Sequence, residues 1–378
     1  MIFLDSASGT KPYPEVILTI TDVLANHWGN SGADYSFGHD ARNIIDNVTA
    51  MVAADINCKP ENIIWTSGAC EANSLALFTA HSPCGFIISE LEHASINHIR
   101  DWAFTFGHYN YLVGNSGRLG GFIDLQELEV CLASVKEANI TPLVSIAFAN
   151  SEIGVIQNIR QIAKLVHEYG GILHTDATQL YPWQTIDVED LGIDMMSVSG
   201  QKLHAVKGIG FLYVRDGIAI KPLIFGSQQN GHRGGTLPTH LIAAFGKALE
   251  LTRTRNSTPH VEFMRNKLMA KLLTIPGVTL NGPKASRLPN NISITIDDVD
   301  ADQFVAMCDE YEIMVAKGSA CQAYNPVPSS ALLAIGLTEK EALSTIRISL
   351  DEFNTVEEID YVGKMMEHII TTLRKLNS

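Results

Sequence analysis

The chain repeats one pattern: a short apolar run, a turn of small or polar residues, then apolar residues at helical spacing. Leu143 to Ala149 (LVSIAFA) is a continuous apolar strand ending at Asn150-Ser151-Glu152-Ile153-Gly154. A helix is predicted from Ile159 to Tyr169, stopped by Gly170-Gly171, and then a strand from Ile172 to Thr175 that places Asp176 and Gln179 just past its end. Strand, helix, strand with short connections predicts an α/β fold around a mainly parallel sheet. Functional groups in such a sheet gather at the carboxyl ends of the strands.

The same pattern recurs elsewhere. Asn62 to Thr66 (NIIWT) reads as a buried strand, followed by SGACEAN and a helical run from Ser74 to Ala80. Gly85 to Ser89 is a strand that delivers Glu92-His93 to its end, with His98 read as structural. Between Ile193 and Arg215 two strands flank Ser-Val-Ser-Gly-Gln-Lys, which presents Lys202. Helices are expected at Glu15 to His27 and Ala41 to Ala54, with the glycine-rich Gly29 to Arg42 as a loop and Gly114 to Gly121 as a surface turn. After a helical run from Leu237 to Leu251, the polar Thr252 to His260 reads as a linker or domain edge. Beyond it come a helix (Val261 to Thr274), a strand (Asn291 to Ile296), a helix (Ala301 to Tyr311) and a strand-like Met314 to Cys321. A Thr355/Glu358 capping box then opens an amphipathic helix to about Leu373, completing an α+β unit.

Charge and cysteine usage narrow the function. A net charge of −14 disfavours direct, non-specific binding to nucleic acid, which needs a basic surface, but suits a basic protein partner. No apolar run reaches the length of a membrane span and the first residues lack a signal peptide's pattern, so the expectation is a cytoplasmic protein without a membrane partner. The six cysteines show no C-x-x-C pair and no zinc spacing, and no metal site is expected.

The strand ends collect a complementary set: Lys202, Asp176, His93, the donors Ser199 and Gln201, and a helix N-terminus at Gly68 to Cys70. Alone, Lys202 reads as a turn lysine, Asp176 as a helix cap, His93 as a core histidine and Arg347 as a surface ion-pair partner. Together they supply what pyridoxal 5'-phosphate asks of a protein: a lysine for its aldehyde, a carboxylate for its ring nitrogen, a flat group over the ring and an anion cradle for its phosphate.

At this point the sequence resembles the cysteine desulfurases of the class V aminotransferase group, in their NifS/IscS-like branch, from about Phe3 to Leu373. The residues that carry the resemblance are TSGACEAN (66–73), EH (92–93), SEIGVIQ (151–157), HTDATQ (174–179), SGQKLHAVKGIGFLYVR (199–215), RGGT (233–236), KGSAC (317–321) and TIRISL (345–350). The resemblance implies the fold type I architecture of PLP-dependent transferases. That is a large domain over 14–255, with a seven-stranded-type sheet flanked by helices, and a small α+β domain from 1–13 and 256–378 that carries a catalytic cysteine loop. It also implies a homodimer.

Residue by residue, the resemblance makes Lys202 the attachment point of the cofactor and its proton shuttle, and Asp176 the partner of the ring nitrogen. His93 would stack on the ring and move protons, and Gln179 would bind the ring hydroxyl beside Ser151. Ala69, Cys70, Ser199 and Gln201 would hold the phosphate, with Thr236 supplied by the other subunit. Arg347 and Asn150 would bind substrate, and Cys321 would take sulfur from L-cysteine as a persulfide, leaving L-alanine, before passing it to an acceptor protein. Iron–sulfur assembly, tRNA thiolation and DNA phosphorothioation are the processes such enzymes serve. Selenocysteine lyase or aminotransferase activity on the same scaffold, and a cofactor-free docking protein, are the alternatives. The chain departs from the family pattern at Ser6 to Thr10, and at Cys70, Ser151, Gln201 and Asp351, which replace threonine, asparagine, histidine and glycine respectively.

Overall fold

The computed structural model describes residues 1–78, 84–105, 109–117, 120–318 and 328–376. The chain opens with a short strand β1 (Ile2–Phe3) and the helices α1 (Pro14–Asn26) and α2 (Ser36–Asp55). Seven strands then build the main sheet: β2 (Ile63–Thr66), β3 (Cys84–Ser89), β4 (Tyr109–Val113), β5 (Thr141–Ser145), β6 (Ile172–Asp176), β7 (Met195–Ser199) and β8 (Gly210–Val214). The connections hold α3 (Ala69–Phe78), α4 (Ala94–Thr105), α5 (Leu125–Glu137), α6 (Ile159–Glu168) and the single turn α7 (Val188–Leu191).

The strand order is β2-β8-β7-β6-β5-β3-β4. The pairs from β7 across to β4 are parallel, and β8 runs antiparallel to both β7 and β2. Helices cover both faces, so β2, β7 and β8 are buried at every residue, which is why they read as continuous apolar runs rather than alternating ones.

The chain continues through α8 (Thr239–Arg255) and α9 (Thr258–Leu272) into β9 (Val278–Leu280), β10 (Asn291–Ile296), α10 (Ala301–Glu310), β11 (Ile313–Met314) and β12 (Ala316–Lys317). It closes with α11 (Ser330–Ala334), α12 (Glu339–Leu343), β13 (Thr345–Ser349) and α13 (Val356–Leu376). The antiparallel sheet β12-β13-β10-β9 packs on α9, α10 and α13 around Ile294, Phe304, Ile348 and Met366, and Leu4 from the chain start joins the same core. β1 pairs in parallel with β11, so the first residues are tied to the last third of the chain.

Three local expectations give way to packing. The glycine-rich stretch is helical from Ser36 onward, because Gly38 lets α2 pass the Ala33 carbonyl; a Cβ there would sit 2.6 Å from that oxygen. The polar Thr252 to His260 is mostly helix, broken only where Asn256 turns left-handed (φ 46°) and ends α8. Helix α3 begins at Ala69, five residues before its apolar run. Among the described residues, no helix is long and apolar enough to cross a membrane, and no cluster of His, Cys, Asp and Glu suits a metal ion.

Candidate active site

Strands β6 and β7 lie side by side with Asp176 opposite Ser197, so the carboxylate and the turn bearing Lys202 leave the same end of the sheet. Asp176 is almost fully buried. Its Oδ2 accepts from Asn73 Nδ2 at 2.8 Å and its Oδ1 from the Thr178 N–H at 2.9 Å. Two residues back on the same strand face, His174 sits between the hydroxyls of Ser145 and Ser197, each 2.9 Å away. Burial pushes its pKa down to about 4, so a neutral imidazole underlies the carboxylate.

The turn after β3 supplies the next wall. The Ser95 N–H donates to His93 Nδ1 at 3.1 Å; a backbone amide can only donate, so Nδ1 is bare and the neutral ring keeps its proton on Nε2. Asn73 Nδ2 also reaches Ser95 Oγ (3.1 Å), which lies 2.8 Å from His93 Nδ1. Asp176, Asn73, Ser95 and His93 thus form one hydrogen-bonded chain. Glu92 is buried behind them, its Oε1 taking the Ala147 N–H at 2.7 Å, and burial raises its pKa to about 8 with Asp176 adding to the effect.

Lys202 ends a single tight turn, Gly200–Lys202, and is partly exposed. The turn is pinned from outside: the N–H and the hydroxyl of Thr10 both donate to the Gln201 carbonyl, at 3.1 and 3.0 Å. Across from it, the turn between β2 and α3 approaches β8 so closely that a Cβ on Gly210 would strike the Val198 carbonyl and lie 2.8 Å from Gly68 Cα. Gly68 itself adopts φ 149°. Ser199 Oγ lies 3.9 Å from where a Gly68 Cβ would be, and Ala69 and Cys70 open the first turn of α3 beside it. Unpaired first-turn N–H groups next to a serine hydroxyl form an anion cradle.

Arg347 comes from β13 and is 3% exposed. Its Nη2 donates to Asp5 Oδ1 (2.6 Å) and Ser8 Oγ (2.7 Å), while its buried Nε has no hydrogen-bond partner. Glu152, partly buried, accepts from Ser329 Oγ at 2.5 Å; desolvation raises its pKa, and Ser329, Arg347 and His93 draw it back.

The remaining expected residues fall as follows. Gln179 Nε2 donates to the Ala7 carbonyl at 3.1 Å. Asn150 holds its own turn: Oδ1 takes the N–H groups of Glu152 and Ile153, both at 2.8 Å, and Nδ2 donates to the Leu91 carbonyl at 2.8 Å. The Ser151 carbonyl accepts from Asn291 at 3.3 Å. Thr236 is exposed on a loop that Arg233 ties to Glu71 of α3 (2.8 Å) and that Gln229 ties to both peptide groups of Trp65 on the edge strand β2. Cys321 lies outside the described residues. Sequence reasoning missed Asn73, Ser95, His174, Glu152, Asp5 and Ser8 as site members. A buried asparagine among the alanines and leucines of α3 was the available signal for Asn73.

The class-V aminotransferase model matches residues 2–362. The chain belongs to the class-V aminotransferase family. Cysteine desulfurase IscS of Methylobacillus flagellatus is 33% identical over 389 residues, covering all of this chain and 94% of the relative. A solved NifS-like protein from Rickettsia africae superposes with a TM-score of 0.88 at 30% identity, over 98% of this chain and 99% of the other. A structure described as SspA in complex with cysteine matches 94% of this chain and all of its own, with a TM-score of 0.80 and 30% identity.

The fold of this class-V protein is therefore the type I PLP-dependent transferase fold, and pyridoxal phosphate is the cofactor general to the family. The residues present fit that group. Gly68 leaves space beside Ser199 Oγ and the first turn of α3, the close approach of Gly210 to the Gly68 backbone holds that turn in place, and Asp176 keeps acceptor capacity beyond its two donors.

Proposed function

We propose that this chain is a PLP-dependent cysteine desulfurase. The observation that carries the reading is the convergence of a buried, amide-held carboxylate (Asp176) and a lysine turn (Lys202) at adjacent strand ends, in a chain one-third identical to a cysteine desulfurase over its full length. Ala69, Cys70, Ser199 and Gln201 would hold the phosphate with Thr236 of a second copy, Gln179 and Ser151 would serve the ring hydroxyl, and Asp176 would keep the ring nitrogen protonated. When bound, the cofactor supplies an electron sink that acidifies the substrate Cα–H.

The protein's own groups do the rest. The Arg347 guanidinium, with its unpartnered Nε–H, binds the carboxylate of L-cysteine, and Asn150 keeps the adjoining turn in shape. Lys202 Nζ, at the end of its turn, would be the base that takes the Cα proton. His93 Nε2 holds a proton toward the site, because Ser95 fixes the tautomer. The thiolate of Cys321 attacks the substrate sulfur: an S–S bond forms, the Cβ–S bond breaks, the electron pair stays with carbon, and protonation there yields alanine. The persulfide then passes to an acceptor protein, in iron–sulfur assembly, tRNA thiolation or DNA phosphorothioation.

This reading includes a large unit at 14–255, a small one from 1–13 and 256–378, a homodimer and a cytoplasmic setting. The decisive test is L-cysteine turnover with Cys321→Ala. Wild type should release alanine and form an alkylatable persulfide, and the variant should form no persulfide. Full desulfuration by the variant would overturn the reading, as would wild-type protein that gains no visible absorbance with pyridoxal phosphate.

A further inference from the structure

Two residues past Lys202, His204 holds a left-handed backbone (φ 58°), which a non-glycine residue keeps only where its surroundings over-determine it. Its ring is held on all sides. Nδ1 lies 2.9 Å from the Lys11 carbonyl, which can only accept, so Nδ1 bears a proton. Tyr13 stacks on one face with centroids 4.4 Å apart, and Phe353 meets the ring edge-on at 5.5 Å. Nε2 stands 3.6 Å from Asp351 Oδ1, and both residues are at most 5% exposed.

Asp351 follows β13 and is four residues beyond Arg347; glycine is usual here in the pattern this chain resembles. With Nδ1 committed to Lys11, Nε2 is the ring atom that faces the Asp351 carboxylate, at ion-pair distance. Buried together, the two groups interact with little screening by water. The first residues of the chain thread between the two ends. Thr10 binds the Gln201 carbonyl and the His204 N–H, Ser6 Oγ donates to the Leu350 carbonyl (2.5 Å), and Asp5 receives Arg347. The imidazole therefore joins the turn that presents Lys202 to the segment just past β13, the strand that carries Arg347.

We propose that the His204–Asp351 pair is a positioning device that fixes Lys202 relative to Arg347, so that one α-amino acid reaches the first with its amino end and the second with its carboxylate. The inference rests on the roles given to Lys202 and Arg347 above. Loosening the pair leaves each residue in place on its own element and disturbs the span between them. The loss then falls on amino-acid binding, before chemistry and apart from the cofactor.

Asp351→Asn, Asp351→Gly and His204→Asn test it, the last because asparagine tolerates left-handed backbone. Each single variant should raise KM for L-cysteine and the dissociation constant for L-alanine about tenfold, with kcat within about twofold and the bound cofactor's absorbance unchanged. The double variant His204→Asn/Asp351→Asn should be no worse than either single, because the two act as a unit. Melting temperatures of the cofactor-free proteins complete the set. Unchanged KM, additive losses, or KM and kcat falling off together in step with the melting temperature would each overturn the pair's role. Wild type that makes no alanine from L-cysteine would instead remove the underlying reading, so the two failures are distinct.

Discussion

Asn73 Nδ2 lies 2.8 Å from Asp176 Oδ2 and 3.1 Å from Ser95 Oγ, so one buried amide orients the carboxylate at the end of β6 and the hydroxyl that meets His93. Its own Oδ1 is buried and has no partner, which marks the amide as held for its donors. Replacing it with leucine keeps the volume and removes both donors. A hydrogen bond to a charged group is worth roughly 1.5–3 kcal/mol, so Asn73→Leu should weaken pyridoxal phosphate binding by at least about tenfold. Absorbance titration of the cofactor-free protein measures this, and equal affinities would show that Asp176 needs no such support.

Glu92 gives a pH prediction. Its pKa in the folded protein is about 8, against 4.5 for the ordinary side chain, mainly because it is buried. Between those two values the unfolded chain has released a proton that the folded protein still holds, so stability falls as pH rises from about 4.5 to about 8. Glutamine imitates the protonated acid, and its NH2 meets the same partnerless surroundings as Oε2 does now. Glu92→Gln should therefore melt like wild type near pH 4.5 and outlast it increasingly toward pH 8, by on the order of a few kcal/mol. Parallel melting curves across that range would place the carboxyl in a wetter site than the fold provides.

Ser329 caps α11 through its Oγ and donates the same hydroxyl to Glu152, two residues after the segment that includes Cys321. Ser329→Ala would leave a half-buried carboxylate short of its donor, a loss of about 1 kcal/mol, and Ser329→Thr should restore most of it. Chemical denaturation of the three proteins checks the stability. Persulfide formation should drop in the alanine variant and return in the threonine one. Equal stabilities of alanine variant and wild type would mean that water replaces the serine hydroxyl.

Which of these residues could be read beforehand follows from what sets each position. Lys202, Asp176 and His93 stand where apolar strands end, and strand ends are visible as hydrophobic runs. Arg347 was visible only through resemblance, since a lone arginine inside a buried strand carries no periodic signal. Asn73, Ser95 and Glu152 act through hydrogen bonds across 22 to 177 positions of sequence, and no local pattern reports such contacts. The start of α2 was missed for a related reason. Gly38 looks like loop composition, whereas its lack of a Cβ serves a close helix contact. The polar run at 252–260 looked like a linker because its helices use polar caps and an Asn256 stop, not an apolar stripe.

Cys70 offers a test in the opposite direction, a gain. It is exposed at the second position of α3, where the family pattern has threonine, and the cradle around it otherwise relies on backbone N–H groups and Ser199. A thiol is a weak donor and adds little to a phosphate; a hydroxyl donates well. One added hydrogen bond contributes about 0.5–1.5 kcal/mol net, so Cys70→Thr should tighten pyridoxal phosphate binding roughly two- to tenfold. Pyridoxal without its phosphate should bind both proteins equally, which separates a phosphate contact from a general change in the site. If the variant gains nothing, the first-turn side chain lies outside the cradle. The N–H groups of α3 and the Ser199 hydroxyl then account for phosphate binding by themselves, and a cysteine is tolerated there because nothing is asked of its side chain.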